Sequence, residues 1–146
     1  MKGYINSILV PVDGSENSAR AARFGIQLAA TLQVPVILFY VFPAASVELV
    51  GMAGISRQEI DEAAQSCGQR ALDEVRLALD ADMQQRFQQA ITIGDPAEEI
   101  IARTEADPAT MVVMGRRGRS PLKSLVLGSV SDKVLRYAAA PVTVVN

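Results

Sequence analysis

No histidine and no tryptophan occur among the 146 residues, and Cys67 is the single cysteine. The missing histidine excludes Ser-His-Asp and Cys-His nucleophilic catalysis, imidazole acid–base chemistry and His-ligated metal sites. One cysteine cannot build an internal disulfide framework, and it suits a reducing compartment. Long apolar runs are also missing. The longest, Val34 to Ala45, contains prolines and is too short to cross a bilayer. The opening residues Met1 to Asn6 are too polar for a signal peptide. Nor is there an excess of positive charge: 14 basic and 16 acidic side chains leave a net charge of −2. A general nucleic-acid binder would carry a basic face instead. These absences lead us to expect a cytoplasmic chain with neither nucleic acid nor membrane as partner. The length fits one domain over 1–146, enough to bury a sizeable core.

What is present is an alternation of apolar and amphipathic segments. Ile8-Leu9-Val10-Pro11-Val12 is a short, branched apolar run that reads as a buried strand. Asp13-Gly14-Ser15 breaks it, and Ser15 or Ser18 then caps a helix running to about Leu32. Ala21, Gly25, Leu28 and Leu32 form the apolar stripe of that helix, widened by Ala22, Ile26 and Ala29. Val34 to Val41 reads as a second buried strand, entered through Pro35. Phe42 to Ser56 is a connection of the length used for lids and binding segments. Arg57 to about Asp80 is a second helix on a stripe of Ile60, Ala64, Cys67, Ala71, Val75 and Ala78, which places Cys67 in the core. Phe87 to Ile93 alternates more than the other strands, as a strand nearer an edge does.

Asp95-Pro96-Ala97-Glu98 starts a third helix with an acidic cap and a proline in the first turn, and this helix ends near Ala106. Thr110 to Met114 is a fourth buried strand. Val130 to Tyr137 reads as a last helix, and Val142 to Val145 as a last short strand after Ala140-Pro141. Five strands alternating with four helices imply an α/β sandwich, doubly wound around a mainly parallel sheet. Right-handed crossovers place every strand-to-helix loop at one rim, where such sheets bind ligands. The last strand is apolar on both faces, and such an edge invites pairing with another copy.

The segment between the fourth strand and the last helix carries the most chemistry. It begins Gly115-Arg116-Arg117-Gly118 and ends Gly128-Ser129-Val130-Ser131, with Arg119 and Lys123 between and no acid anywhere. Glycines let backbone N–H groups approach an anion, and a helix start adds unpaired donors and a positive dipole end. Three loops converge at the rim: Asp13-Gly14-Ser15, the segment after Val41, and this glycine loop. A carboxylate, an apolar slot and an anion cradle make a nucleotide-shaped set. Asp13 can accept from two ribose hydroxyls, or it can cap the first helix. Val41 and its neighbours can pack on an adenine. Gly115, Gly118, Gly128 and Ser129 can hold phosphates, while Ser129-x-x-Asp132 also fits a capping box. One or two of Arg116, Arg117 and Arg119 are expected to reach the phosphates.

The chain resembles the universal stress protein family, in its ATP-binding branch. The family pattern Gly-x2-Gly-x9-Gly-Ser/Thr is matched by Gly115, Gly118, Gly128 and Ser129. The resemblance extends to Ile8 through Ser15, to Gly94-Asp95-Pro96 and to Ala140-Pro141-Val142, and so to all but the Phe42–Ser56 connection. It implies an adenine nucleotide alpha hydrolase-like sheet of order 3-2-1-4-5. It further implies a homodimer made by antiparallel pairing of the last strands, here Val142–Val145. Carried over by motif, Asp13 matches the ribose-binding aspartate, and Val12 and Val41 match adenine-flanking positions. The implied nucleotide set is Pro11, Val12, Asp13, Gly14 and Ser15; Val41; Met114, Gly115, Arg116, Arg117 and Gly118; and Gly128, Ser129, Val130 and Ser131. The implied ligand is ATP, ADP or AMP, with Mg²⁺ or Mn²⁺ on the phosphates. The implied role is a stress-response regulator with an unidentified protein partner. Two alternatives remain: a slow ATPase or phosphate-transfer enzyme, and a nucleotide-free dimeric scaffold. The first lacks a histidine and any acid near the phosphates beyond Asp13; the second is opposed by the intact glycine motif. A phosphorelay receiver is excluded, since Asp13 stands without neighbouring acids and no lysine follows the last strand.

Overall fold

The computed structural model describes residues 4–43, 51–117 and 127–146. The strands β1 (Ser7–Pro11), β2 (Val36–Pro43), β3 (Gln88–Gly94), β4 (Thr110–Gly115) and β5 (Val142–Val145) form one sheet in the order β3-β2-β1-β4-β5. Every pairing is parallel. The connecting helices are α1 (Glu16–Leu32), α2 (Arg57–Leu77), α3 (Pro96–Ala106) and α4 (Ser129–Tyr137). The order and the parallel sense agree with the expectation, and β3 is an edge strand as its alternating pattern suggested.

The side-chain period of two along each strand divides the core into two layers. Ile8, Val10, Val36 and Leu38 pack with Ala21, Ala22, Ile26 and Ala29 of α1 and with Leu72 and Val75 of α2. Leu9, Phe39, Val112 and Met114 pack on the other face with Ala97 and Ile100 of α3 and Val134 of α4. β1 is therefore apolar without interruption because both its faces are covered.

Helix starts follow local chemistry. Ser15 is the N-cap of α1, accepting from the Ser18 N–H at 3.2 Å, which settles the choice between the two serines. Ser56 and Glu59 form a reciprocal capping box on α2. Asp95 caps α3 by accepting from the Glu98 N–H at 3.0 Å, with Pro96 in the first turn.

Several boundaries differ from the expectation, for identifiable reasons. β2 starts at Val36 because Gln33 takes a left-handed turn and the Val34 N–H closes α1 onto the Ala29 carbonyl. It runs on to Pro43 because it pairs with β3 as far as Gly94. α2 ends at Leu77, not at Asp80, and Ala78 of the expected stripe is exposed. Its buried stripe contains Gly68, not Cys67, because an added Cβ there would lie 2.8 Å from Ile91 Cδ1. Residues 44–50 of the Phe42–Ser56 connection lie outside the described residues.

α1 lies close over the sheet. Its buried positions are Ser18, Ala19, Ala21, Ala22, Gly25, Ile26 and Ala29, nearly all small. A Cβ on Gly25 would come within 2.7 Å of Val10 Cγ2, a distance at which one of the two elements must shift. Gly25→Leu is therefore expected to destabilise the protein by about 2 kcal/mol through overpacking. Gly51→Leu, at a position with nothing within 4 Å of the added Cβ, should change stability by no more than about 0.5 kcal/mol. Urea unfolding of both variants checks this, and equal shifts of the two midpoints would refute the close-packing account.

Candidate functional site

The carboxyl ends of β1, β2 and β4 meet at one rim. β1 is flanked by β2 and β4, whose crossovers run over opposite faces of the sheet. Such a switch point leaves a crevice between the diverging connections. The Val12 N–H donates to the Phe39 carbonyl at 2.9 Å, so β1 and β2 stay paired to the rim. The chain then turns at Gly14, whose φ of 86° lies in the left-handed region that favours glycine.

Asp13 shapes this turn. Its Oδ1 accepts from the Ser15 N–H at 2.9 Å, and its own N–H donates to Ser18 Oγ at 3.4 Å. Ser18 Oγ in turn donates to the Ser15 carbonyl at 2.9 Å. Capping of α1 thus falls to Ser15, while Asp13 holds the turn and lies on the wall of the cleft.

On the other side of the crevice, Gly115 ends β4. A Cβ there would sit 3.1 Å from the Asn17 backbone, so the start of α1 passes close over Gly115 and a side chain would press it outward by a few tenths of an ångström. The Gly128 N–H donates to the Arg116 carbonyl at 2.8 Å and draws the two ends of the glycine loop together. The buried Ser131 hydroxyl donates to the Gly115 carbonyl at 2.8 Å and fixes the first turn of α4 against β4. The N-cap of α4 is Gly128, which has no side chain to cap with. The capping box expected from Ser129 and Asp132 is therefore not formed. Ser129 is the first helical residue, and Asp132 pairs instead with Arg136 at 3.0 Å. The first-turn amides of α4 keep their positive dipole end at the rim.

These pieces enclose a cleft of about 640 Å³. Of the expected residues, Pro11, Val12, Asp13 and Val41 line it, as do Met114, Gly115, Arg117, Gly128, Ser129, Val130 and Ser131. Gly14 and Ser15 do not; they build the turn behind it. Arg116 also faces elsewhere, its Nη1 donating to Asn146 Oδ1 at 3.3 Å. Gly118, Arg119 and Lys123 lie outside the described residues. The apolar wall is Val12, Val41, Phe39, Met114 and Ile100, all at most 8% exposed. The cation on the wall near α4 is Arg117.

The sequence reading missed a second wall. Tyr40, Cys67, Arg70, Ala71 and Glu74 close the α2 side, and Pro96 and Ile100 of α3 the other. Cys67, expected in the core, is half-buried and borders the cleft. Arg70 and Glu74 carry one weak signal, a spacing of four on the polar side of α2. Among the described residues, no group of three or more Cys, Asp or Glu side chains is placed to hold a metal ion. No helix among them is long and apolar enough to cross a membrane.

Comparison with known proteins agrees with this geometry. The family model described as Universal stress protein family matches residues 5–146. The chain is 33% identical over 147 residues to universal stress protein YxiE of Bacillus subtilis, covering 97% of this chain and 99% of that protein. The solved structure of hypothetical protein MJ0577 of Methanocaldococcus jannaschii shares the fold with a TM-score of 0.73 at 25% identity, covering 97% of this chain and 95% of that one. A universal stress protein from Archaeoglobus fulgidus, solved in complex with dAMP, shares the fold with a TM-score of 0.62 at 20% identity, over 98% of each chain. With a family model spanning all but the first four residues and a relative matched over nearly its full length, the chain belongs to the universal stress protein family.

Proposed function

We propose that this chain binds an adenine nucleotide, with ATP as the preferred ligand, and acts as a nucleotide-dependent regulatory module of the stress response. The observation that carries the reading is the composition of the cleft at the switch point. Its walls offer an apolar surface from Val12, Val41 and Met114, the Asp13 carboxylate, and Arg117 with the start of α4. Base, ribose and phosphates call for these three chemistries in turn. The dAMP bound by the Archaeoglobus fulgidus protein supports the same ligand class. A magnesium or manganese ion would rest chiefly on the phosphates, since no trio of protein ligands is at hand among the described residues.

Binding is favoured over turnover. Among the described residues, the acids on the cleft wall are Asp13, beside β1, and Glu74, on α2. Neither follows β4 or belongs to α4, where the phosphates would lie. A hydrolytic step needs a group that positions water beside the terminal phosphate.

The working form is a homodimer paired along β5. The Pro141 carbonyl accepts from Val112 of β4, and the Val145 carbonyl from Arg116 just past its end. The two-residue repeat of a strand then turns the N–H and C=O groups of Val142 and Val144 toward the open edge. An edge of this kind, carrying four partly buried apolar or β-branched residues, suits pairing with an identical strand.

Two outcomes are expected. Arg117→Ala should weaken ATP about tenfold, as loss of a charge-assisted hydrogen bond does, and leave adenosine nearly unchanged. Asp13→Asn keeps an oxygen for the Ser15 N–H but loses the charge, and should weaken ATP and adenosine by a similar factor, again about tenfold. Calorimetric titration of both ligands distinguishes these patterns; wild-type affinity in both variants would sink the assignment. Separately, Val144→Pro removes an N–H that faces the open edge while sparing the groups bonded to β4. It should turn a dimer into a monomer in sedimentation velocity, and a variant that remains dimeric would rule out pairing along β5.

A further inference from the structure

Arg116 joins the anion end of the cleft to the outer strand. Its backbone N–H donates to the Val145 carbonyl at 3.0 Å, carrying the β4–β5 ladder one residue past Gly115. Its carbonyl accepts from the Gly128 N–H at 2.8 Å, at the start of α4. Its guanidinium donates to Asn146 Oδ1 at 3.3 Å. Asn146 is held from α1 as well, because Arg20 Nε donates to its backbone carbonyl at 3.2 Å. Arg20 also bonds Asn17, the residue against which Gly115 packs. A single residue thus touches the helix start that faces the cleft, the last residue of β5 and Asn146 just after it.

We propose that phosphate binding at the start of α4 and pairing of a second copy along β5 are energetically coupled through the Arg116–Asn146 contact. A nucleoside triphosphate then tightens the dimer, and the dimer tightens triphosphate binding by the same factor. The inference rests on the nucleotide and edge-pairing readings above. A phosphate held by Arg117 and the first amides of α4 restrains residues 117 and 128. These flank the Arg116 peptide, one along the chain and one through its hydrogen bond. Restraining them selects one position for the Arg116 N–H and guanidinium, and so for Val145 and Asn146. A strand already held in place gives up less conformational freedom when another strand pairs with it. Adenosine has no phosphate and gains no such hold on the joint. Reciprocity follows because binding free energies around a closed cycle must sum to zero.

The test is sedimentation equilibrium of the full chain with ATP and Mg²⁺, with adenosine, or with no ligand, and calorimetry under the same conditions. Saturating ATP is expected to lower the dimer dissociation constant about tenfold, and adenosine by less than about twofold. Asn146→Ala and Arg20→Gln alter residues that do not line the cleft. In both variants ATP affinity measured on dilute monomer should stay within about twofold of wild type, while the tightening by ATP falls below about threefold. A wild-type dimer constant that ignores bound ATP overturns the coupling and leaves nucleotide binding intact. Full tightening in both variants overturns its assignment to this contact. A chain that binds no ATP, or that stays monomeric at every concentration, overturns the coupling together with the reading it rests on.

Discussion

Parallel pairing of β1 with β2 on one side and β4 on the other is the constraint from which the rest of the molecule follows. Parallel neighbours cannot be joined by a tight turn, so each connection crosses a face of the sheet as a helix. Both faces of β1 are then covered, and Ile8, Leu9 and Val10 must all be apolar. They are at most 3% exposed, and each such side chain contributes about 1.5–3 kcal/mol by leaving water. The same pairing sends every strand out at one rim. Because the two crossovers beside β1 take opposite faces, the loops after β1 and β4 separate there and leave the cleft open between them. The site is a consequence of strand order before any of its side chains is considered.

This explains what was legible in the sequence. Strands buried on both faces read as unbroken apolar runs, so β1 and β4 are recognisable within a residue, and the short apolar run of β5 marks that strand as well. The alternation in β3 marked an edge. Caps with a side-chain oxygen, such as Asp95 before Pro96, signal themselves locally. The glycine spacing marks two places on the cleft wall, Gly115 and Gly128, where backbone approaches backbone. What was not legible depends on partners distant in sequence. Cys67 fits the apolar stripe of α2 as well as Gly68 does, and only the position of Ile91 on β3 gives the buried place to glycine. Arg116 and Arg117 are indistinguishable in composition. The register of β4 against β5 turns the first toward Asn146 and leaves the second on the cleft wall. Arg70 and Glu74 belong to the polar side of an amphipathic helix, and no periodicity tells which part of that side faces a cleft.

The helix starts show how the molecule separates holding itself together from offering donors to a ligand. α1, α2 and α3 each begin with a side-chain oxygen on their first amides: Ser15, Ser56 and Asp95. Such a cap stabilises a helix by about 1 kcal/mol, but it occupies the donors it satisfies. α4 begins at Gly128 with no side chain at that place. The helix is anchored differently, by the Ser131 hydroxyl on the Gly115 carbonyl and by the Gly128 amide on the Arg116 carbonyl. Both bonds point inward, toward β4. The remaining first-turn amides carry roughly half a positive charge at the rim, beside Arg117, in a chain whose net charge is −2. Local potential and overall charge therefore have opposite signs at this one place. The positive end of α4 therefore lies at the rim, whereas the bonds that anchor the helix lead from the Arg116 peptide to the edge of the sheet.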